Sequence, residues 1–234
     1  MKILVTALIA VFLSTNLLYA AEKAGSISKF KGSVKVYKEG AVRGKKVKEA
    51  GHEVFVKDMI KTKRRAIAYV NLEDNSTIIL KGNSIMEIEG VKGLNVKEGR
   101  VLFRVKKQKK LKGLRVKSKS VVIGVKGTEF LVDSDDEDLR IYLKEGHLNV
   151  ESPEGEFKRY KKKQKEEFED FKKKSIEEFE EYKKELEEEF IEYVKEFEME
   201  GGTAIVIDGK DVRDMTIPDD IKEEFKLFQM KEES

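Results

Sequence analysis

The stretch Val121–Val150, VVIGVKGTEFLVDSDDEDLRIYLKEGHLNV, constrains the fold more than any other. Val121, Ile123 and Val125 alternate with Val122, Gly124 and Lys126. Gly127 then interrupts, and Phe130 to Val132 resume the apolar run. That pattern is a β-strand broken at a point where only a residue without Cβ fits a kink or bulge. An acidic loop, Asp133 to Asp138, follows. Leu139, Ile141 and Leu143 then alternate with Arg140, Tyr142 and Lys144, as in a half-buried strand. Glu145-Gly146 makes a tight turn, and Leu148 to Val150 begin the return strand.

The residues upstream repeat the same grammar. Gly25 to Lys38 reads as strand, Lys31-Gly32 turn, strand. Ala66 to Asn71, Thr77 to Leu80, Ile85 to Ile88, Leu94 to Val96 and Val101 to Val105 are further short strands. Glycine or Asn/Asp turns divide them, with Glu73-Asp74-Asn75 the clearest. Short strands at even spacing predict an all-β sandwich, barrel or solenoid.

Within this region Gly124-Val125-Lys126-Gly127-Thr128-Glu129-Phe130-Leu131-Val132 resembles the signature of the FecR domain, a β module of bacterial cell envelopes. Leu143-Lys144-Glu145-Gly146 is similar to the strand and turn that follow it. Upstream, Asp58, Ile60, Thr62, Ala66/Ala68, Asp74, Asn75, Ser76, Leu80 and Ser84 resemble the same family's pattern, with Asn75 where glycine is usual. Both residues suit a left-handed turn. The resemblance covers roughly residues 25 to 152. It marks Gly124, Val125, Gly127, Thr128, Phe130, Glu145 and Gly146 as signature positions. It implies an elongated, solenoid-like β stack over residues 22–152, and a module that is not an enzyme.

Glu156 to Met199 carries a different period. It can be written as four elevens, EFKRYKKKQKE, EFEDFKKKSIE, EFEEYKKELEE and EFIEYVKEFEM. Phe157, Phe168, Phe179 and Phe190 recur every eleven residues, as do Tyr160, Phe171, Tyr182 and Tyr193. Leu186 and Phe197 end a third set. An eleven-residue period places a nearly straight apolar stripe along a helix. The expectation is one amphipathic helix over 156–200, about 65 Å long at about 1.5 Å per residue. Its stripe would pack on the β stack, on another copy, or on a different envelope component. A short β-hairpin and C-terminal helix over 203–234 complete the plan, with Ile221, Phe225 and Phe228 as the apolar face of the helix. The tail is expected to dock on the long helix or the β stack.

Charge divides the chain in the same place. Glu22 to Val150 holds 30 Lys and Arg against 17 Asp and Glu; Glu151 to Ser234 holds 17 against 28. A basic body and an acidic tail attract one another. Arg104 to Lys119 has nine basic residues and no acid. Its candidate contacts to an anionic glycan or lipid surface are Arg104, Lys106, Lys107, Lys109, Lys110 and Lys112; the other reading is a solvated hairpin loop. It lacks the interleaved aromatics of a single-strand nucleic-acid groove, so no nucleic-acid partner is expected. Residues 1–20 read as a secretory signal, with Lys2 as the basic start, an apolar run from Ile3 to Leu18, and cleavage between Ala20 and Ala21. The protein is therefore expected to be periplasmic or secreted, meeting a membrane only through an uncleaved anchor.

The residues show no catalytic motif. Cysteine is absent, which excludes disulfides, thiol nucleophiles and thiolate metal sites. His52 and His147 have neither HExxH nor Cys/His spacing. Asp133 to Asp138 alternates carboxylates as a calcium loop does, but its sixth position is Asp138 rather than glycine and its twelfth is Lys144 rather than glutamate, so a solvated turn is expected. The expectation is no catalytic, cofactor or metal site. Two functions of different class remain: a protein-binding or signal-relay module of the envelope, and a self-associating structural spacer built on the helix.

Overall fold

A computed structural model describes residues 21–107, 113–160 and 191–229. Nineteen strands are hydrogen-bonded into one network, which folds into two facing sheets. The first runs in the order β4 (His52–Phe55), β1 (Lys23–Lys31), β6 (Ile67–Leu72), β7 (Thr77–Leu80) and the second half of β9 (Gly93–Arg104). It continues through β12 (Glu129–Ser134), β13 (Leu139–Glu145), β18 (Thr203–Asp208), β19 (Asp211–Met215), β15 (Phe157–Tyr160) and β16 (Ile191–Val194). The second sheet runs β3 (Lys45–Lys46), β2 (Val34–Tyr37), β5 (Met59–Thr62), β8 (Ile85–Gly90), the first half of β9, β10 (Leu114–Ser118), β11 (Val121–Val125), β14 (His147–Glu151) and β17 (Glu196–Glu200).

The protein is mainly β and is not a closed barrel. Apart from β9–β10 and β15–β19, neighbours pair antiparallel. Alternation explains the layers: in β11 the pattern Val121, Ile123, Val125 is buried, while Val122 and Gly124 are half-exposed. The inward residues of both sheets, such as Ile60, Met86 and Ile123 against Val70, Phe103 and Phe130, join one core. Each fully buried side chain of this kind contributes about 1.5–3 kcal/mol.

One strand serves both layers. β9 pairs with β8 through Leu94 and Val96 and with β12 through Val101 to Arg104. It bends at Gly99, whose φ is +83° and whose absent Cβ would lie 2.6 Å from the Asn83 carbonyl. No residue other than glycine fits there.

The expected helix over 156–200 is corrected at both ends. Phe157 and Tyr160 stand in β15, Tyr193 in β16 and Phe197 in β17. Phe157 is buried and meets Phe197 edge to face, with centroids 5.7 Å apart. Glu196-Phe197-Glu198-Met199-Glu200 also alternates with period two, and burying Phe197 and Met199 against β14 overrides the local helical spacing. Phe168, Phe171, Phe179, Tyr182, Leu186 and Phe190 lie outside the described residues, as does the signal segment 1–20.

β18 and β19 form the hairpin, and a short helix, α1 (Asp219–Glu224), runs into a 3-10 turn, Phe225–Phe228. The helix and the 3-10 turn lie on the outer face of the first sheet, where Ile221, Phe225 and Phe228 join a cluster with Tyr69, Leu102 and Tyr142.

Candidate functional site

The FecR-like signature is the corner where the chain leaves one sheet for the other. Val125 ends β11 in the core, and Glu129 opens β12 on the opposite sheet, with Phe130 next in it. Three residues make the crossing. Gly127 takes φ +70°, and a Cβ there would lie 2.8 Å from the Lys107 Cβ. The buried Thr128 hydroxyl donates to the His147 carbonyl at 3.0 Å. Gly146 in the facing turn takes φ +94°, and its Cβ would meet the Gly127 carbonyl at 2.7 Å. Phe130 is fully buried and stacks on Phe103 at 4.7 Å. Glu145 is exposed. Gly124 alone is free of such demand: it faces outward with ordinary space around it, over a cleft of about 670 Å³ bordered by Arg115, His147 and Asn149.

The upstream pattern residues are equally structural. Asp58 is buried, and its carboxylate accepts the Phe55 N–H at 2.9 Å and the Lys38 ammonium at 2.7 Å. The Thr62 hydroxyl accepts the Ser84 N–H at 2.9 Å, and the Ser84 hydroxyl donates to the Arg100 carbonyl at 3.0 Å. Asn75 holds φ +63°, the left-handed turn read from the sequence. Buried polar groups so paired avoid the desolvation cost of an unmet hydrogen bond.

Beside the corner, Glu129 gathers charge. Its carboxylate is 9% exposed and takes Arg104 Nε at 3.0 Å and Lys144 Nζ at 2.6 Å. Both cations also cover rings of the C-terminal segment: the Arg104 guanidinium lies 4.5 Å from the Phe228 centroid, and Lys144 Nζ lies 5.6 Å from that of Phe225. Farther along, Arg100 bridges Asp133 at 2.8 Å and Glu224 at 3.1 Å. Burial works against the Arg100 charge, but Asp133 and Glu224 outweigh it and raise its pKa.

Beneath that segment lies a row no sequence reading anticipated. Tyr69, Ile79, Leu102, Leu131, Tyr142 and Ala204 stand directly opposite one another across six neighbouring strands. With Ile221, Phe225 and Phe228 they form a second buried cluster outside the main core. A signal did exist. Ile78-Ile79-Leu80, Val101-Leu102-Phe103, Phe130-Leu131-Val132 and Ile141-Tyr142-Leu143 are unbroken apolar triplets. Such runs mark strands covered on both faces.

Arg104 is drawn into the Glu129 pair, while Lys106 and Lys107 are exposed. Lys109, Lys110 and Lys112 lie outside the described residues. In the acidic loop, Asp135 Oδ1 accepts the N–H groups of Glu137 and Asp138, and Arg140 clamps Asp135 and Asp138 at 3.1 and 2.7 Å. The Asp138 N–H is the main cause of a lowered Asp135 pKa. Among the described residues no group of three His, Cys, Asp or Glu side chains could hold a metal ion, and no helix is long and apolar enough to cross a membrane.

Residues 58–149 match the family model described as FecR protein, and this stretch is a FecR domain. No curated protein matches the chain. Two crystal structures of a candidate anti-sigma factor from Parabacteroides distasonis ATCC 8503 are similar to it, each with TM-score 0.45 and 14% identity. Each match covers 68% of this chain and 59% of that protein, so the chain spans well under two thirds of its neighbour's length.

Proposed function

We propose that this chain is an exported, non-enzymatic FecR-type module that works by contact with another protein of the cell envelope and relays a signal through it. The FecR match over residues 58–149 carries the reading. It is supported by what the signature residues do. Val125, Thr128, Glu129 and Phe130 are buried in packing, hydrogen bonds and ion pairs. They hold a scaffold together.

In this reading residues 1–20 direct export and are removed between Ala20 and Ala21. The mature protein is periplasmic or secreted and needs neither cofactor nor metal. The test is chemical cross-linking of the full chain in cells, followed by isolation of the adducts. One dominant foreign envelope protein is the expected result. Self-adducts alone would refute it in favour of a self-associating spacer, which residues 161–190 would then have to build. Reproducible turnover of a small molecule by the purified protein would refute it in favour of an enzyme.

A second reading keeps one observation behind it. Lys106 and Lys107 remain exposed at the start of the basic run, where an anionic glycan or lipid could meet them. Replacing both with glutamine should then release the protein from an anionic column; unchanged retention counts against that reading.

A further inference from the structure

The six-residue row on the outer face of the first sheet is wholly buried, no member more than 7% exposed, and the C-terminal element covers it together with Ile67, Met215 and Ile217. Six strands spaced by about 4.8 Å give a row of about 24 Å. The C-terminal element is six α-helical and four 3-10 residues, about 17 Å at about 1.5 and 2.0 Å per residue. The element is also weak in its own right. α1 has no side-chain N-cap bond, and its length is below the roughly 12–15 residues at which an isolated helix becomes marginal in water. Among the described residues its long-range ion pairs run through Glu224, to Arg100 at 3.1 Å and Lys81 at 3.6 Å, and Glu224 Oε2 is buried without a partner among them.

We propose that this row is a docking groove for an acidic amphipathic helix of a partner protein, and that the chain's own C-terminal segment holds the groove until the partner arrives. The inference deepens the contact function above and rests on it for the partner's being another protein. The segment displays what the groove reads: apolar residues at i, i+4 and i+7 (Ile221, Phe225, Phe228) and a carboxylate at i+3 (Glu224). This is the pattern of helix-in-groove recognition. Lys81, Arg100, Arg104 and Lys144 border the groove against Glu129 and Asp133, and this excess of cations favours an acidic occupant. A partner helix of about sixteen residues would span the whole row at about 1.5 Å per residue. A second copy has no such advantage. Its segment is identical, and the resident one, tied by a linker of only three residues (Thr216 to Pro218), competes at millimolar effective concentration.

The probe is a fluorescein-labelled synthetic peptide with the sequence of residues 216–231, followed by anisotropy with the full chain. Phe225→Ala/Phe228→Ala in the full chain should bind it at least tenfold more tightly than the unaltered chain does. A control peptide carrying the same two alanines should not bind. A variant that keeps its β circular dichroism yet shows no saturable binding overturns the proposal, as does equal binding by both chains. If the variant does not fold, hydrogen exchange on the unaltered chain decides. Amides of 219–228 should exchange at least 100-fold faster than those of β9 and β12; equal protection overturns the proposal. A dimer of the unaltered chain that the peptide dissociates would assign the groove to a second copy and overturn the partner assignment. Failure to find a foreign cross-linked protein in cells sinks the contact function but leaves these peptide results standing, so the two failures are distinguishable.

Discussion

Phe130→Ala tests whether the signature is a structural corner. Phe130 is fully buried and stacks on Phe103 with ring centroids 4.7 Å apart and planes within 12°. Truncating a buried phenylalanine costs about 3–5 kcal/mol, the sum of lost transfer energy and the cavity left behind. Phe130 sits between β9 and β13, both held by further pairings, so little collapse into the cavity is expected. A value of about 4 kcal/mol follows, of which the stacked geometry contributes about 0.5–1.5 kcal/mol. For a chain of this size about 1 kcal/mol moves Tm by about 2–4 °C, so the melt should fall by about 8–16 °C. The assay is a thermal melt by circular dichroism, with Tyr193→Ala as control. Tyr193 is 65% exposed, and its loss should cost no more than about 0.5 kcal/mol. A double cycle with Phe103→Ala should show coupling of about 1 kcal/mol, because the two rings share one contact. A Phe130→Ala melt within about 2 °C of the unaltered chain would refute the reasoning, since no residue of the shared core could be removed so cheaply.

Other outcomes follow from the same geometry. Gly146→Ala should destabilise by at least about 1–2 kcal/mol from its left-handed backbone alone, and a chemical melt unchanged from the parent would contradict the 2.7 Å approach to the Gly127 carbonyl. Glu129→Gln should cost about 1–3 kcal/mol by leaving Arg104 and Lys144 without their carboxylate, and it should loosen 219–228 in hydrogen exchange before any strand. Burial raises the pKa values of Tyr69 and Tyr142. Above the ordinary tyrosine value of about 10 the unfolded chain therefore binds fewer protons than the folded one, and stability falls as pH rises further. Ultraviolet titration should show Tyr69 and Tyr142 ionising above the ordinary tyrosine value; ionisation of both at the ordinary value would count against the buried row.

The sequence revealed most of the scaffold because it speaks through period and turn chemistry. Val121, Ile123 and Val125 point inward as their alternation requires, and Asn75 and Gly127 take the left-handed φ their positions imply. What misled was a coincidence of two periods. Phe157 and Phe197 fall on an eleven-residue repeat, yet each is also placed by strand pairing, and only the tertiary core decides between them. Arg104 illustrates a second limit. A run of lysines and arginines reads as one surface, whereas Glu129, 25 positions away, withdraws one member into an ion pair. The apolar row stayed hidden because register sets it, and register is fixed by long-range ladders rather than by local composition.

The FecR match has borders that cut through hydrogen-bonded ladders. β5 leans on β2, β6 on β1, β13 on β18 and β14 on β17, and in each pair the second strand lies outside residues 58–149. A recombinant fragment trimmed to the match would bare four raw edges at once and would be prone to clump through them. Whoever wishes to study that portion should express the chain from residue 21 through at least residue 229.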